Sequence, residues 1–362
     1  MRQFSVLEHL AGQLNPLCRV LDLDPATPLD LLAGLLGPHG ARSLADPPAW
    51  PSDIADDHSP VEFSVAFNDH EPPALRLLAE VPGVPAGIRG NTQAAYAFLA
   101  ANAARFPLAT DRLDAVRDVF TTSEPLGSFA LWCSLVFRHG RDPEFKVYFN
   151  PEVAGVRHAP DLVEEALGRL GLADSYRAIL ARSIRPGELG RRDRLTFFAL
   201  DLHDGPQARV KLYVSHHDAD AADAARAATV VDGVDPDEVA DFCLAAGGGA
   251  RFDQRPLVGS YTLAGGTDQP VGYSVYVPIR DYVDDDLQAR DRVAAALVRH
   301  GFDTAALHRC IAAVSRRPLG AGVGLIAHVS LRLGAPRPGV TVYLSAEAYA
   351  VAQPRSVWIP AA

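Results

Sequence analysis

The heptapeptide VKLYVSH at Val210–His216 alternates strictly: Val210, Leu212 and Val214 share one phase, Lys211, Tyr213 and Ser215 the other. Period-2 alternation over this length reads as a β-strand. Three more strings share its form: FKVYFNP at 145–151, YSVYVPI at 273–279 and VTVYLSA at 340–346. Their tyrosines, Tyr148, Tyr213, Tyr276 and Tyr343, follow at intervals of 65, 63 and 67 residues. An interval of this size marks a repeated supersecondary unit. Equivalent side chains then recur at equivalent places, and in a closed architecture they form a ring.

Each tyrosine strand is preceded by another apolar, alternating run. Ser128–Phe137 turns through 138–142 into Glu144–Phe149. Thr196–His203 turns through Asp204-Gly205-Pro206, a strong hairpin signal, into Ala208–Ser215. Gly259–Leu263 leads into Val271–Ile279, and Leu325–Leu333 into Val340–Ser345. A fifth hairpin comes first. Val61–Phe67 turns at Asn68–Pro73 into Leu75–Glu80, with Arg76 in place of a tyrosine.

Between hairpins the period becomes helical. Leu113, Val116 and Phe120 mark one face, Leu162, Ala166 and Leu170 another, and Val293, Ala296 and Leu297 a third that stops at His300-Gly301. Asp235-Pro236-Asp237-Glu238 opens a helix with an N-cap Asp and Pro at N1, before Val239, Phe242 and Cys243. Residues 3–44 supply a leading pair. The expected pattern is α-α-β-β, five times. Two arrangements satisfy it: an open α+β sheet with helices on one face, or about ten strands closed into a barrel, which removes the sheet edges. Segments 45–60 and 246–256 read as loops.

Composition narrows the class. The chain has 362 residues, 48% hydrophobic and 22% charged, with a formal charge of −10. A repeat spanning most of the chain argues for one domain over residues 1–362. The acidic balance argues against a nucleic-acid partner. No apolar run reaches membrane-spanning length. MRQFSVLEHLAGQ does not read as a secretory signal, and Cys18, Cys133, Cys243 and Cys310 are scattered. A cytoplasmic location with reduced thiols is expected. Nucleotide-loop, zinc-protease and nucleophile-elbow motifs are missing. His216-His217-Asp218 would point its histidines to opposite faces of a strand. Asp284-Asp285-Asp286 lacks the DDxxD spacing of a magnesium–diphosphate site and reads as an acidic helix start. No metal site is expected.

The tyrosine strands carry cations on the same face. Arg209 and Lys211 are in phase with Tyr213, and Lys146 with Tyr148; Ser274 precedes Tyr276 and Thr341 precedes Tyr343 by the same step. This face could be solvated, with the aromatics merely packing. If the tyrosines point inward, so do the cations, and buried charges of one sign need an anion. A diphosphate suits the set, because Arg offers bidentate contacts and Lys a point charge. Aromatic faces would in turn stabilise a carbocation. Glu62, in phase with Ser64 and Ala66, could face solvent as an edge-strand acid. Buried near cations, it is expected to stay ionised and to accept a hydrogen bond or proton from a substrate N–H.

These residues together resemble the dimethylallyltryptophan-synthase family of aromatic prenyltransferases, in its bacterial indole branch. The resemblance runs over roughly residues 5–350. It rests on PxEFS at Pro60–Ser64, Leu75-Arg76, FKVYFNP at Phe145–Pro151, RVKLY at Arg209–Tyr213, YxP at Tyr276–Pro278 and TVYL at Thr341–Leu344. It implies an α+β ABBA barrel, in which five ααββ repeats form a ten-stranded antiparallel barrel ringed by outer helices. It implies that Arg76, Lys146, Arg209, Lys211 and position 274 hold the diphosphate. Tyr148, Tyr213, Tyr276 and Tyr343 would shield the allylic cation, and Glu62 would contact the indole N–H. Glu62 and Lys146 stand as the candidate catalytic pair. Arg332, in HVSLRL, is a further candidate cation. One departure matters: position 274 is Ser where relatives often carry Lys or Gln, so the grip there is weaker or differently made.

The implied reaction is electrophilic aromatic substitution. Dimethylallyl diphosphate ionises and the indole of tryptophan, or of a tryptophan-containing small molecule, attacks. No cofactor is obligatory and Mg²⁺ is not required. The expected partners are these two substrates, with no nucleic acid and no membrane, and the expected state is a monomer or weak homodimer. Two rival readings keep the same barrel: a phenolic acceptor, or a non-enzymatic binder of a phosphorylated small molecule. Glu62 favours indole. The alkylated ring atom, the direction of attachment and the donor length depend on sub-ångström pose rather than on any motif.

Overall fold

In the computed structural model, which describes residues 4–205, 208–335 and 338–355, the alternating strands close on themselves. The ten barrel strands are β1 Val61–Asn68, β2 Glu71–Ala79, β3 Leu131–Phe137, β4 Glu144–Phe149, β5 Asp193–Asp201, β6 Val210–His216, β7 Leu257–Leu263, β8 Gly272–Val277, β9 Ile326–Gly334 and β10 Gly339–Ser345. Each pairs antiparallel with its sequence neighbours, and β1 closes on β10 with Glu62 opposite Ser345 and Ser64 opposite Tyr343. The open-sheet alternative is thereby excluded.

A pair of helices precedes every hairpin. They are α1 Val6–Val20 and α2 Ala26–Leu36, α3 Ile88–Ala103 and α4 Asp111–Val116, α5 Ala159–Arg169 and α6 Ala173–Ser183, α7 Ala221–Ala228 and α8 Pro236–Gly247, α9 Asp286–Arg299 and α10 Ala305–Val314. A one-turn helix, Gly187–Gly190, is added before β5. Five ααββ units result, as the intervals predict. No helix among the described residues is long and apolar enough to cross a membrane.

The hydrophobic core is an annulus. Phe63, Val65, Leu77, Phe145, Val147, Leu212, Val214, Val275 and Val342 lie on the outward phase of their strands and are buried. The helices cover them with Leu10, Leu14 and Leu17 from α1, Phe242 and Cys243 from α8, and Val293 and Leu297 from α9. Each such side chain contributes about 1.5–3 kcal/mol when fully buried. Because stability resides outside the strands, the barrel interior is released to carry polar and aromatic residues. The four cysteines are buried as free thiols.

Some boundaries differ from expectation. The first hairpin turn tightens to Asp69-His70, with His70 in the left-handed region (φ 58°). Pro72 and Pro73 therefore lie in β2, ahead of its pairing with β3, which begins at Leu75, so their missing N–H groups interrupt no ladder there. Phe120 lies beyond α4, in a turn, though it is buried against Phe149. On α5 the buried stripe is Ala159, Val163, Ala166 and Leu167, and Leu162 and Leu170 are only partly buried beside it. Segment 45–60 is free of helix and strand. Segment 246–256 instead continues α8 to Gly247 and pairs Arg251–Phe252 with Ala219–Asp220.

The acidic run divides its labour. Asp285 is the N-cap of α9, accepting from the Gln288 N–H at 2.9 Å. Asp286 turns inward and is fully buried. It accepts from the backbone N–H groups of Gly324, Leu325 and Ile326 and from Arg317, whose Nη2 lies 2.6 Å away. This carboxylate fixes the start of β9. Asp286→Ala should therefore cost about 3–5 kcal/mol, as for other broken buried pairs. Thermal or urea denaturation measures it, and a loss below about 1 kcal/mol would mean that water replaces the carboxylate.

Candidate active site

The barrel register brings the four tyrosines to one level. Tyr148 and Tyr213 have ring centroids 5.9 Å apart, Tyr213 and Tyr276 5.8 Å, and Tyr276 and Tyr343 5.8 Å. Their phase is inward, because Tyr148 sits opposite Trp132 and Ala199, Tyr213 opposite Phe197 and Ser260, and Tyr343 opposite Ser64 and His328. Burial raises the Tyr148 hydroxyl to about 12 and those of Tyr213 and Tyr343 well above 10, so these rings stay neutral. Neutral aromatic faces in a continuous arc, with Arg76 of the fifth hairpin in the remaining gap, are suited to a transient cation.

Below the ring lies a recess of about 50 Å³ lined by Arg76, Lys146, Arg209, Lys211 and Arg332. The Arg76 Nε is buried without a hydrogen-bond partner among the described residues. Lys211 Nζ lies 5.9 Å from the Tyr213 ring centroid and 3.4 Å from Ser260 Oγ. Burial, then the neighbouring Arg209 and Lys146, pull the Lys211 ammonium well below its usual value. Burial and Arg209 pull Lys146 down to about 7. Arg332, which donates to Asn68 Oδ1 at 2.5 Å, is pulled to about 9 by burial and Arg76. Cations crowded this closely in a buried recess favour an anion in their midst.

Above the ring a chamber of about 490 Å³ opens, within the range of roughly 300–1,000 Å³ typical of small-molecule sites. One wall is aromatic: Phe129 stacks on Trp132 at 3.8 Å, and Phe197 meets Trp132 at 5.5 Å and Tyr213 at 5.7 Å. The opposite wall carries Glu62, Arg280 and His328. Glu62 and the four tyrosines line both spaces, so the tyrosine ring is the neck between them.

Three expectations change. First, Glu62 was expected to stay ionised; burial instead pushes its carboxyl up to about 8, with Arg280 pulling it down and Asp56 pushing it up. The cation bearing on Glu62 is thus Arg280 rather than those of the recess. Second, Ser274 faces inward between Ser260 and Arg332, but its short side chain is not among those lining the recess. Arg332, its cross-strand neighbour, reaches the recess instead. Third, two of the recess cations carry an acid of their own, Asp201, which stands behind the recess lining. Asp201 Oδ1 lies 2.8 Å from Lys146 Nζ and its Oδ2 2.7 Å from Arg209 Nε. Burial alone would raise this carboxyl, yet Lys146 and Arg209 hold it well below the usual range.

Asp201 had a signal, since it follows Phe197 and Ala199 in phase on the strand that forms a hairpin with the Tyr213 strand. His328 likewise precedes Ser330 and Arg332 in phase. Its Nδ1 faces Arg280 Nη1 at 3.4 Å; because Arg only donates, the neutral ring carries its proton on Nε2. Arg280 had no periodic signal, since it sits in a 3₁₀ turn after β8, where its Nε meets Asp56 Oδ2 at 3.0 Å.

A family model described as tryptophan dimethylallyltransferase matches residues 30–309. Among solved structures, a 6-dimethylallyl tryptophan synthase superposes with a TM-score of 0.95 at 65% identity, covering 98% of this chain and 100% of that one. The 6-dimethylallyltryptophan synthase from Micromonospora olivasterospora, in complex with DMASPP and Trp, gives 0.94 at 66% identity, covering 97% and 100%. The ternary complex of the prenyltransferase PriB with L-tryptophan and dimethylallyl thiolodiphosphate gives 0.90 at 38% identity, covering 98% and 99%.

Proposed function

The chain belongs to the tryptophan dimethylallyltransferase family, and from that premise we propose how its own residues carry the transfer. It is an aromatic prenyltransferase that moves a dimethylallyl group from dimethylallyl diphosphate to tryptophan. The observation that carries the residue assignment is the shared neck: a cationic recess and an aromatic chamber have the four tyrosines, Glu62 and Leu78 as common lining.

In this reading Arg76, Lys146, Arg209, Lys211 and Arg332 receive the diphosphate, and the anion restores the charge that burial withdraws from the two lysines. The allylic C–O bond breaks with its electron pair on the diphosphate oxygen. The cation is held against the faces of Tyr148, Tyr213, Tyr276 and Tyr343, which exclude water. The indole lies against the aromatic wall, with its N–H directed to Glu62. A ring carbon forms the new C–C bond, and its proton passes to a base, for which the departed diphosphate oxygen is the anion the first step supplies, restoring aromaticity. Preorganised charges that need no rearrangement as the ion pair separates supply the rate enhancement. The two relatives at 65% and 66% identity are 6-dimethylallyltryptophan synthases, which supports C6 as the alkylated carbon. The five repeats are proposed to act as one catalytic domain over residues 1–362. Four buried thiols support a reducing, cytoplasmic setting.

The test is incubation of the chain with tryptophan and dimethylallyl diphosphate, with the product placed by mass spectrometry and NMR. Attachment at another ring carbon would overturn the C6 assignment, and absence of product would overturn the reading of the site. Metal independence is part of the same proposal. Asp201 offsets one of the five recess cations, and the four remaining charges suffice for a diphosphate without Mg²⁺. Activity should persist in EDTA; complete loss restored by Mg²⁺ would mean a metal-bridged donor.

A further inference from the structure

We propose that Asp201 is the positioning residue of the recess, a built-in counter-anion that holds Lys146 and Arg209 in place and sets how tightly the diphosphate is bound and released. The inference rests on reading the recess as the diphosphate site.

The geometry is that of a seated ligand. Asp201 is 4% exposed. Oδ1 takes the Lys146 ammonium at 2.8 Å, and Oδ2 takes the Arg209 Nε at 2.7 Å and its backbone N–H at 3.1 Å. The backbone is fixed too: Asp201 N–H donates to the Arg209 carbonyl, and Arg112 of α4 donates to the carbonyls of Asp201 and Ala208, at 2.6 and 3.2 Å. The end of the β5–β6 hairpin is thereby tied to a helix on the outside of the barrel. A carboxylate so placed occupies two of the five cations as a phosphate oxygen would.

The other charges around it are accounted for. His203 Nε2 stands 3.8 Å away, beyond the end of β5. Glu144 of β4 is engaged by Arg138 of the turn after β3. Arg76 of β2, Lys211 of β6 and Arg332 of β9 face the recess from the other side. Asp201 is the one carboxylate in direct contact with two recess cations among the described residues.

Asp201 therefore has two opposed effects on an incoming anion. It favours the charged form of Lys146, which the anion needs. It also repels the anion. The first acts over a 2.8 Å contact, the second over a longer path with cations between. Removing the carboxylate exposes each effect in its own pH range. Where the pH is low enough for Lys146 to be charged even without Asp201, well below the value of about 7 it has beside the carboxylate, only the repulsion is lost and the anion binds more tightly. At high pH the anion must draw a proton onto Lys146 without the carboxylate's help, and binding weakens. A residue that merely braced the fold would not make the sign of its effect depend on pH.

The experiment is calorimetric titration of the full chain with dimethylallyl thiolodiphosphate, for the parent, Asp201→Asn and Asp201→Ser. The variants should bind about fivefold more tightly than the parent near pH ~4.5 and about fivefold more weakly near pH ~8.5, crossing between. A constant ratio across pH would overturn the proposal. Loss of the folded state in both variants, read by circular dichroism, would also overturn it, making Asp201 a structural ion pair. Failure of the parent itself to bind would remove the reading of the recess on which the proposal rests.

Discussion

Lys211→Ala should lower kcat/KM for dimethylallyl diphosphate by about 30-fold or more, corresponding to ~2–5 kcal/mol for the loss of one partner from a desolvated charge pair. KM for the donor should rise and turnover fall together. Lys211 is the cleanest recess cation to remove, because its Nζ contacts Ser260 Oγ at 3.4 Å and Asp201 pairs with Lys146 and Arg209 instead. Arg209→Ala should impair the donor similarly, but it also strips Asp201 of a partner, so its effect mixes two causes. The sign of the stability change separates function from folding. Burial, Arg209 and Lys146 hold the Lys211 ammonium well below its unfolded value near 10.5. For a cation whose folded value is depressed, stability falls as pH drops from the unfolded value toward the folded one. The alanine variant escapes that loss, so at neutral pH its melting point should equal or exceed the parent's. Unchanged donor kinetics would take Lys211 off the inner face, and a collapsed melting point would give it a structural role.

The barrel was legible because its signal is periodic. Recurring intervals between Tyr148, Tyr213, Tyr276 and Tyr343 gave the repeat, and two-residue phase gave the inner face, so Lys146 and Lys211 could be placed with the tyrosines before any coordinates. Phase alone does not say whether an inner face is wet or dry, which is why Glu62 was read as ionised. Its charge state depends on burial by loops and strands distant in sequence and on Arg280, which lies in a turn outside any period. Phase also ignores reach: Ser274 points inward but stops short, and Arg332 from the next strand extends past it. Asp201 shares the inward phase, and an all-cationic interior without a counter-charge would be the costlier arrangement. Helix faces shifted, as on α5, because a stripe of apolar residues on a helix tolerates rotation of a fraction of a turn.

Glu62→Gln should lower turnover by roughly 10²-fold or more, within the range of positioned acid–base groups, while donor KM changes little. The carboxyl lines the chamber and the neck, beside the tyrosines and three strands round the barrel from Lys146, in register through Leu78 and Ser134. A carboxylate there accepts the indole N–H, and that hydrogen bond strengthens as the ring acquires positive charge. An interaction stronger in the transition state appears in kcat as well as in acceptor KM. Gln keeps the size and an acceptor oxygen but not the charge. Burial pushes the Glu62 carboxyl up to about 8, so the neutral acid predominates at neutral pH in the free protein. It follows that kcat/KM for tryptophan should climb with pH toward about 8 in the parent, and that this limb should vanish in the Gln variant. Stability should move the other way. A carboxyl whose folded value is raised contributes its stability at low pH and loses it as pH rises through the folded value. Relative to the parent, Glu62→Gln should therefore gain melting temperature as pH rises from about 5 to about 8.5. The two measurements constrain each other: one buried acid should weaken the fold over the same pH range in which it activates the indole. A Gln variant with full turnover, or one defective only toward dimethylallyl diphosphate, would remove Glu62 from the acceptor side and leave the chamber without a group that selects an N–H.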